Sequence, residues 1–327
     1  MTTAIGYALS SEEHAPTDLV RNARLAEKSG FSFALVSDHF HPWIDRQGNS
    51  PFVWSVLGGI AQATERLTVG TGVTCPTIRI HPAIIAQAAA TTAAMMPGRF
   101  FLGVGTGENL NEHVLGDRWP EWDVRAEMLE EAVEVIRALW RGEVTSHRGR
   151  HYTVENARLY TLPDELPPIH VAASGPRMAE LAGRIGDGLI GTGPDEEIVR
   201  TFDPGAGTRP RFGQVTVSWA ASEREARKTA LEWWPTSAIR GEAAQELPNP
   251  AHFEQLAEMV TEDQIAESIT CGPGAGAILD KIGEYVDAGY DHVYLHQVGP
   301  DQEGFLDFAA RELIPQFERP RESAATR

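Results

Sequence analysis

The sequence predicts a closed barrel of eight parallel strands alternating with helices, a (β/α)8 or TIM barrel, and two observations carry that prediction. Short apolar or β-branched runs alternate with amphipathic helical patterns along the whole chain, the order of parallel β-α units rather than of segregated strands and helices. Eight such runs fit within 327 residues, a length at which α/β barrels commonly stay one unit. The structural alternative is an open, doubly wound sheet.

Strands are expected at Ala4–Leu9, Ser32–Ser37, Leu67–Val73, Phe100–Thr106, Ile169–Ala173, Gly188–Thr192, Gln214–Ala220 and His292–Gln297. After the first of them Leu19, Ala23 and Ala26 share one helix face that stops at Gly30; Met128, Ala132, Val135 and Leu139 repeat the pattern before Gly142. Two longer stretches, 143–168 and about 233–274, are rich in Glu, Pro and Ala. They are expected as insertions over the C-terminal mouth of the strands, where a barrel builds its pocket. The organisation expected is one barrel domain over residues 1–318 and a polar tail over 319–327.

Composition excludes several classes of partner. Against 28 Lys+Arg stand 46 Asp+Glu, a net charge of −18, and such a surface repels phosphate backbones and anionic headgroups. Neither nucleic acid nor a membrane is an expected partner; a small-molecule substrate is. Cys75 and Cys271 belong to no CxxC or Cys/His metal spacing, so a reduced, cytoplasmic setting and no metal are expected. The first residues lack the basic start and apolar run of a secretion signal.

Chemistry gathers just past the strand ends. The segment VSDHFHPW puts Asp38, His39, His41 and Trp43 beyond the second strand, where polar groups face the barrel mouth. An imidazole titrating near neutrality can take a hydroxyl proton, and an adjacent carboxylate can orient it. The competing reading is a buried, hydrogen-bonded histidine without a catalytic role; two imidazoles without a third ligand make a weak metal site. The segment FFLGVGTGENLNEH places Gly103, Gly105 and Gly107 along the fourth strand and ends in Glu108 and Asn111. Its spacing is not GxGxxG and it does not follow the first strand, which argues against a nicotinamide site. Glycines there let a flat ligand approach the backbone. Glu108 is then either a partner for a cofactor ring or a helix cap. VGTGVTCP, with Gly72, Val73 and Cys75, marks an unusual backbone path. Ser174 and Gly175 lead into a helix whose first amides could hold a phosphate, or simply into an ordinary helix start.

These segments carry a resemblance. SDHFHPW, QGNSPFVWS, the run from VGTGVTCP through GVGTGENLNEH, and ASGPRMAELAGRIGDGLI occur in the order seen in the deazaflavin-dependent branch of the luciferase-like superfamily. The chain most resembles the family of coenzyme F420-dependent glucose-6-phosphate dehydrogenase and its relatives. The resemblance implies coenzyme F420 as cofactor, His39 as general base, Glu108 as the acid facing the deazaflavin ring and Trp43 beside the reacting centre. It implies cofactor contacts from Asp38, Gly72, Val73, Cys75, Asn111, Ser174 and Gly175, a cis peptide at Gly72–Val73, and a homodimer. The reaction implied is hydride transfer between an alcohol or sugar and the deazaflavin. A reductase acting on a ketone, imine or activated alkene, a flavin mononucleotide monooxygenase, and a barrel that only carries the cofactor are the alternatives. Residues 241–280 contain no Lys or Arg, and the segment after the sixth strand offers Asp195 and Glu196. A buried phosphate dianion needs cationic partners, so glucose 6-phosphate is not the expected substrate unless Arg200, Arg209 or Arg240 reaches it.

Overall fold

A computed structural model describes residues 3–205, 207–239 and 241–318; the polar tail expected over 319–327 and Arg240 lie outside the described residues. The barrel strands are β1 (Ala4–Leu9), β2 (Phe33–Val36), β3 (Thr68–Thr71), β4 (Phe100–Val104), β5 (Ile169–Ala172), β6 (Gly188–Gly191), β7 (Arg211–Ser218) and β8 (His292–Gln297). Each pairs in parallel with the next in chain order, and β8 returns to β1, so the sheet closes. The open-sheet alternative is thereby excluded. All eight expected strands are present with small differences at their ends. β7 starts at Arg211 rather than Gln214 because Arg211 still pairs with Leu189 of β6.

Strand alternation splits the core in two. Phe33, Leu35, Phe101, Ile190, Phe212 and Tyr294 fill the barrel interior. Glycine at two facing positions makes room for the rings. A Cβ on Gly6 would lie 2.3 Å from the Phe33 ring, and one on Gly70 2.0 Å from Phe101, distances no side chain tolerates. The opposite faces of the strands pack against the helices. Helix Pro16–Lys28 buries Leu19, Ala23 and Ala26, the face read from its spacing, and Gly30 follows at φ 91°. Helix Trp122–Leu139 buries a wider face than expected, adding Leu129, Val133 and Ile136, with Met128 half-buried at its edge.

The two insertions differ. Residues 235–268 are built of short helices, of which the first part covers the mouth as expected, and Thr270–Cys271 then pairs in parallel with the end of β7. The stretch 143–168 contains an unanticipated antiparallel hairpin, Thr145–Arg148 with Thr153–Ala157. It runs up the flank of helix Trp122–Leu139, where Glu131 accepts from His147 and from the Arg150, His151 and Tyr152 amides. No residue of it lines the mouth cavity. The hairpin leaves the C-terminal end of a barrel helix, which lies at the end of the barrel opposite the mouth.

His170, on β5, packs in the interior against Phe101 and Phe212 at ring distances of 4.8 and 4.9 Å. Burial pushes its pKa down to about 4. The unfolded chain therefore takes up a proton near pH 6.5 that the folded chain refuses until about pH 4. The folded state loses stability as pH falls through that window and keeps it above. Between about pH 7.5 and 4.5 the loss expected from this one ring is roughly 2.5 kcal/mol. Urea denaturation at both pH values should show His170→Gln losing less stability on acidification than the unsubstituted chain by about that amount; an equal loss in both would contradict it.

Candidate active site

A cavity of about 690 Å³ opens at the C-terminal ends of the strands. Inward-facing side chains make its floor: Ala8, Leu35, Ala172, Ile190, Gln214 and Tyr294. Its roof comes from the 233–274 insertion through Trp234, Ile239 and Phe253.

His39 enters from the loop after β2, its side chain 11% exposed. Its Nδ1 lies 3.2 Å from the His41 carbonyl oxygen. The carbonyl and the carboxylate facing Nε2 both only accept, so Nε2 is free to act as a base in the tautomer that carries its hydrogen on Nδ1. Nε2 lies 3.4 Å from a Glu12 carboxylate oxygen, which favours the imidazolium once Nε2 takes a proton. Burial raises the Glu12 pKa, but His39, the Ser37 hydroxyl, its own backbone and His296 outweigh that, and Glu12 stays below its ordinary value. Trp43 flanks the pair, its ring 5.1 Å from that of His39 and 5.2 Å from Phe253. The Ser50 hydroxyl donates to the His39 carbonyl at 2.7 Å and fixes the loop.

Asp38 has a different place from the one its position beside His39 suggests. It accepts from the Thr74 hydroxyl at 2.8 Å and from Arg79 Nη2 at 2.9 Å, outside the cavity lining. Neighbouring residues of an extended segment point opposite ways, so as His39 faces the cavity Asp38 turns behind the wall. There Arg79 also meets Glu112 at 3.4 Å. Burial would lower the arginine pKa, yet Asp38 and Glu112 together hold it above its ordinary value.

Asn111 and Cys75 likewise brace the wall rather than line it. Asn111 Oδ1 accepts from the Phe40 and His41 amides at 2.9 and 3.1 Å. Cys75 packs under Gly107, where a Cβ would lie 2.5 Å from its sulfur. Gly107 needs its φ of 78° as well. Burial, with Glu112 nearby, raises the Cys75 thiol well above its ordinary pKa, so it stays protonated. His41 turns its Nδ1 to the Leu110 carbonyl at 2.8 Å. Among the described residues no cluster of three or more His, Cys, Asp or Glu could hold a metal.

Glu108 lines the cavity. Its side chain caps no helix, and among the described residues its carboxylate has no hydrogen-bond or ion-pair partner. The helix-cap reading therefore fails. Gly72 and Val73 also line the cavity, and the bond between them is cis, as the resemblance implied. Ser174 lines the far side, and Gly175 is the N-cap of helix Pro176–Ile185. A Cβ on Gly175 would meet nothing within 4 Å, so this helix start is open. The first-turn amides of such a helix can hold an anion.

Three features escaped the sequence reading. Glu12 and His296 are buried and line the cavity, and the Arg79 side chain is 7% exposed. Applying the strand-end rule to β1 and β8, not only to β2 and β4, would have found the first and third. Arg79 carried no local signal.

Comparison with known proteins places this geometry. A sequence model of the luciferase-like monooxygenase family matches residues 1–292. The F420-dependent glucose-6-phosphate dehydrogenase of Mycobacterium avium (strain 104) is 36% identical over 96% of this chain and 98% of its own. That of Microbacterium testaceum (strain StLB037) is 36% identical over 96% and 97%. Among solved structures, an F420-dependent secondary alcohol dehydrogenase in complex with an F420–acetone adduct superposes with a TM-score of 0.90. It is 31% identical, covering 98% of this chain and all of the other. The coenzyme F420-dependent tetrahydromethanopterin reductase of Methanopyrus kandleri shares the fold, with a TM-score of 0.79 at 23% identity over 97% and 100% of the two chains.

Proposed function

The chain belongs to the luciferase-like monooxygenase family, and on that premise we propose that it is a coenzyme F420-dependent oxidoreductase acting on an uncharged, hydroxyl-bearing substrate. The observation that carries the substrate reading is the charge of the cavity: no described lysine or arginine lines it, whereas Glu12, Glu108 and Glu242 do. A phosphate dianion there would lose its hydration and meet carboxylates instead of cations. Of the three arginines that could have reached it, Arg240 lies outside the described residues, Arg209 is tied to the Gly183, Gly186 and Phe202 carbonyls, and neither Arg209 nor Arg200 lines the cavity. The curated relatives carry glucose 6-phosphate in their names; this cavity favours an alcohol or an unphosphorylated sugar.

The residues present fit the cofactor. The Gly72–Val73 wall and the backbone of Gly105–Gly107 present a surface nearly free of side chains, which suits a flat ring. The partnerless Glu108 carboxylate faces the same space, and the open helix start at Gly175 suits an anionic tail. When bound, coenzyme F420 supplies two-electron hydride chemistry. His39 supplies the proton chemistry: Nε2 takes the substrate hydroxyl proton, Glu12 favours the resulting charge, and the His41 carbonyl keeps the ring in place. In the reverse direction Nε2 returns that proton. Glu108 is the group left to exchange a proton or hydrogen bond with the cofactor. Trp43, Trp234 and Phe253 exclude water above His39. Free Cys75 and Cys271 suit a cytoplasmic enzyme, and the family resemblance supports reading it as a homodimer.

The test mixes purified protein with coenzyme F420 and, separately, flavin mononucleotide, and follows deazaflavin absorbance with secondary alcohols, unphosphorylated sugars and glucose 6-phosphate. Binding of F420 and turnover of neutral substrates are expected. Turnover of the phosphate ester alone would overturn the substrate reading; binding of the flavin and not F420 would overturn the cofactor.

A further inference from the structure

We propose that Gln245, on the roof, is a cofactor-binding residue: its side-chain amide donates a hydrogen bond to an oxygen of coenzyme F420 between the ring and the anionic tail, and Arg125 sets the direction of that amide. This rests on the cofactor reading above. Gln245 belongs to the short helix Ala243–Glu246, is half-buried and lines the cavity. Arg125 reaches it from helix Trp122–Leu139, with a side chain only 3% exposed. Its Nη2 donates to Gln245 Oε1 at 3.2 Å and its Nη1 to the Pro120 carbonyl at 2.6 Å, while the guanidinium lies 4.2 Å from the centre of the Trp119 ring. Nη1 also meets Glu246 Oε1 at 3.5 Å, the oxygen that accepts from Trp119 Nε1 at 3.1 Å. Asn109 Nδ2 completes this latch by donating to the Glu246 carbonyl at 2.8 Å.

The chemistry of the guanidinium decides which atom of Gln245 is left for a ligand. A guanidinium only donates, so the amide oxygen must face Arg125, and flipping the amide would set donor against donor. Nε2 is then the spare group, a donor without a partner among the described residues. Arg125 Nε is sealed in without a partner; Gln245 Nε2 is not sealed off, so a ligand oxygen can reach it where Gln245 lines the cavity. Position selects the ligand. Arg125 lies one helical turn beyond Trp122, which lines the cavity as do Ser174 and Met178, and Asn109 directly follows Glu108. The latch thus holds Gln245 on the side of the cavity that carries Glu108, Trp122 and Ser174, from the group that suits the ring to the helix start that suits the tail. His39 is covered by Trp43, Trp234 and Phe253 instead. The carboxylates of Glu108 and Glu242 accept but do not donate, and Gln245 supplies the donor that oxygen atoms of the coenzyme need.

The experiment titrates F420 into the full chain and reads binding from tryptophan fluorescence, since Trp43, Trp122 and Trp234 line the cavity. Gln245→Met, which keeps the length and removes the donor, and Gln245→Ala are each expected to raise the Kd for F420 about tenfold, the weight of one hydrogen bond. The thermal midpoint of the cofactor-free protein should stay within about 2 °C, and kcat and KM for a neutral alcohol at saturating F420 within about twofold. Arg125→Met should weaken F420 binding as well, yet add less than about threefold in the Gln245→Met background, where no amide is left to orient. An unchanged Kd in both Gln245 variants, a loss confined to the KM of the alcohol, a weaker Kd that comes only with a large fall in the thermal midpoint, or Arg125 and Gln245 effects that simply multiply would each overturn the proposal. Tight F420 binding indifferent to Gln245 would strike this proposal alone, whereas an unsubstituted chain that binds no F420 would strike the proposed function together with it.

Discussion

Replacing His39 with alanine is expected to lower kcat by roughly 10²–10⁴-fold, the usual worth of a positioned general base, while F420 binding changes little. The size follows from how the ring is held. Its Nδ1 contacts the His41 carbonyl, which orients the ring, and the tautomer with its hydrogen on Nδ1 makes Nε2 the basic nitrogen. The Glu12 carboxylate at 3.4 Å stabilises the charge that appears there. Since this assistance arises only as the proton moves, kcat and kcat/KM should fall together. Steady-state kinetics with a neutral alcohol, alongside F420 titration, makes the measurement. Activity within a factor of about three of the unsubstituted enzyme would take the imidazole out of the mechanism, because even the weakest general bases contribute about 10²-fold.

Arg79→Met is expected to be the most damaging single change to stability, costing about 3–5 kcal/mol. Arg79 is 7% exposed, and its partners Asp38 and Glu112 are 1% exposed each. Removing the guanidinium leaves two buried carboxylates that must either stay charged without a partner or take up protons. Burial already raises the Glu112 pKa against the pull of Arg79, and without that pull it would rise further. The exposed ion pairs make the contrast: Arg184 with Glu130, both about half exposed or nearly so, belongs to a class worth ~0–1 kcal/mol. The consequence reaches the site, because Arg79 Nη2 also contacts the carbonyl of Asp38, the residue before His39. Denaturant titration of Arg79→Met and Arg184→Met should separate the two classes, and a loss below about 1 kcal/mol for the first would show that the buried network contributes no more than a surface pair.

How much of this was legible in the sequence depended on whether a signal was local. The strands were legible because an inward and an outward apolar set forces β-branched or aromatic residues into short runs such as FALV and FFLGV. The roof over the mouth was legible as a break in the alternation, but the hairpin at 145–157 was not. Its strands are polar on one side, and they pack on a helix flank rather than in the sheet. His39, Trp43 and Glu108 were legible because the residues past a strand end face the mouth. The cofactor contact of Asp38 came from the resemblance; what sequence adjacency to His39 hid is that its carboxylate meets Thr74 and Arg79, 36 and 41 positions away. Glu12 was hidden in SSEEH, which reads as a polar helix start, although the same strand-end rule applies there. His296 looked like one more strand residue until the structure showed a buried ring with an unpartnered nitrogen. Pairings across such separations are set by closure of the barrel, not by any window of the chain.

The most direct test of the central claim is a crystal structure of the chain with coenzyme F420 and an unreactive alcohol. The account predicts the deazaflavin against the Gly72–Val73 wall, the Glu108 carboxylate within hydrogen-bond reach of the ring, and the alcohol oxygen within about 3.2 Å of His39 Nε2. A ring lying outside this cavity, or one bound within it with His39 and Glu108 both out of reach, would contradict it.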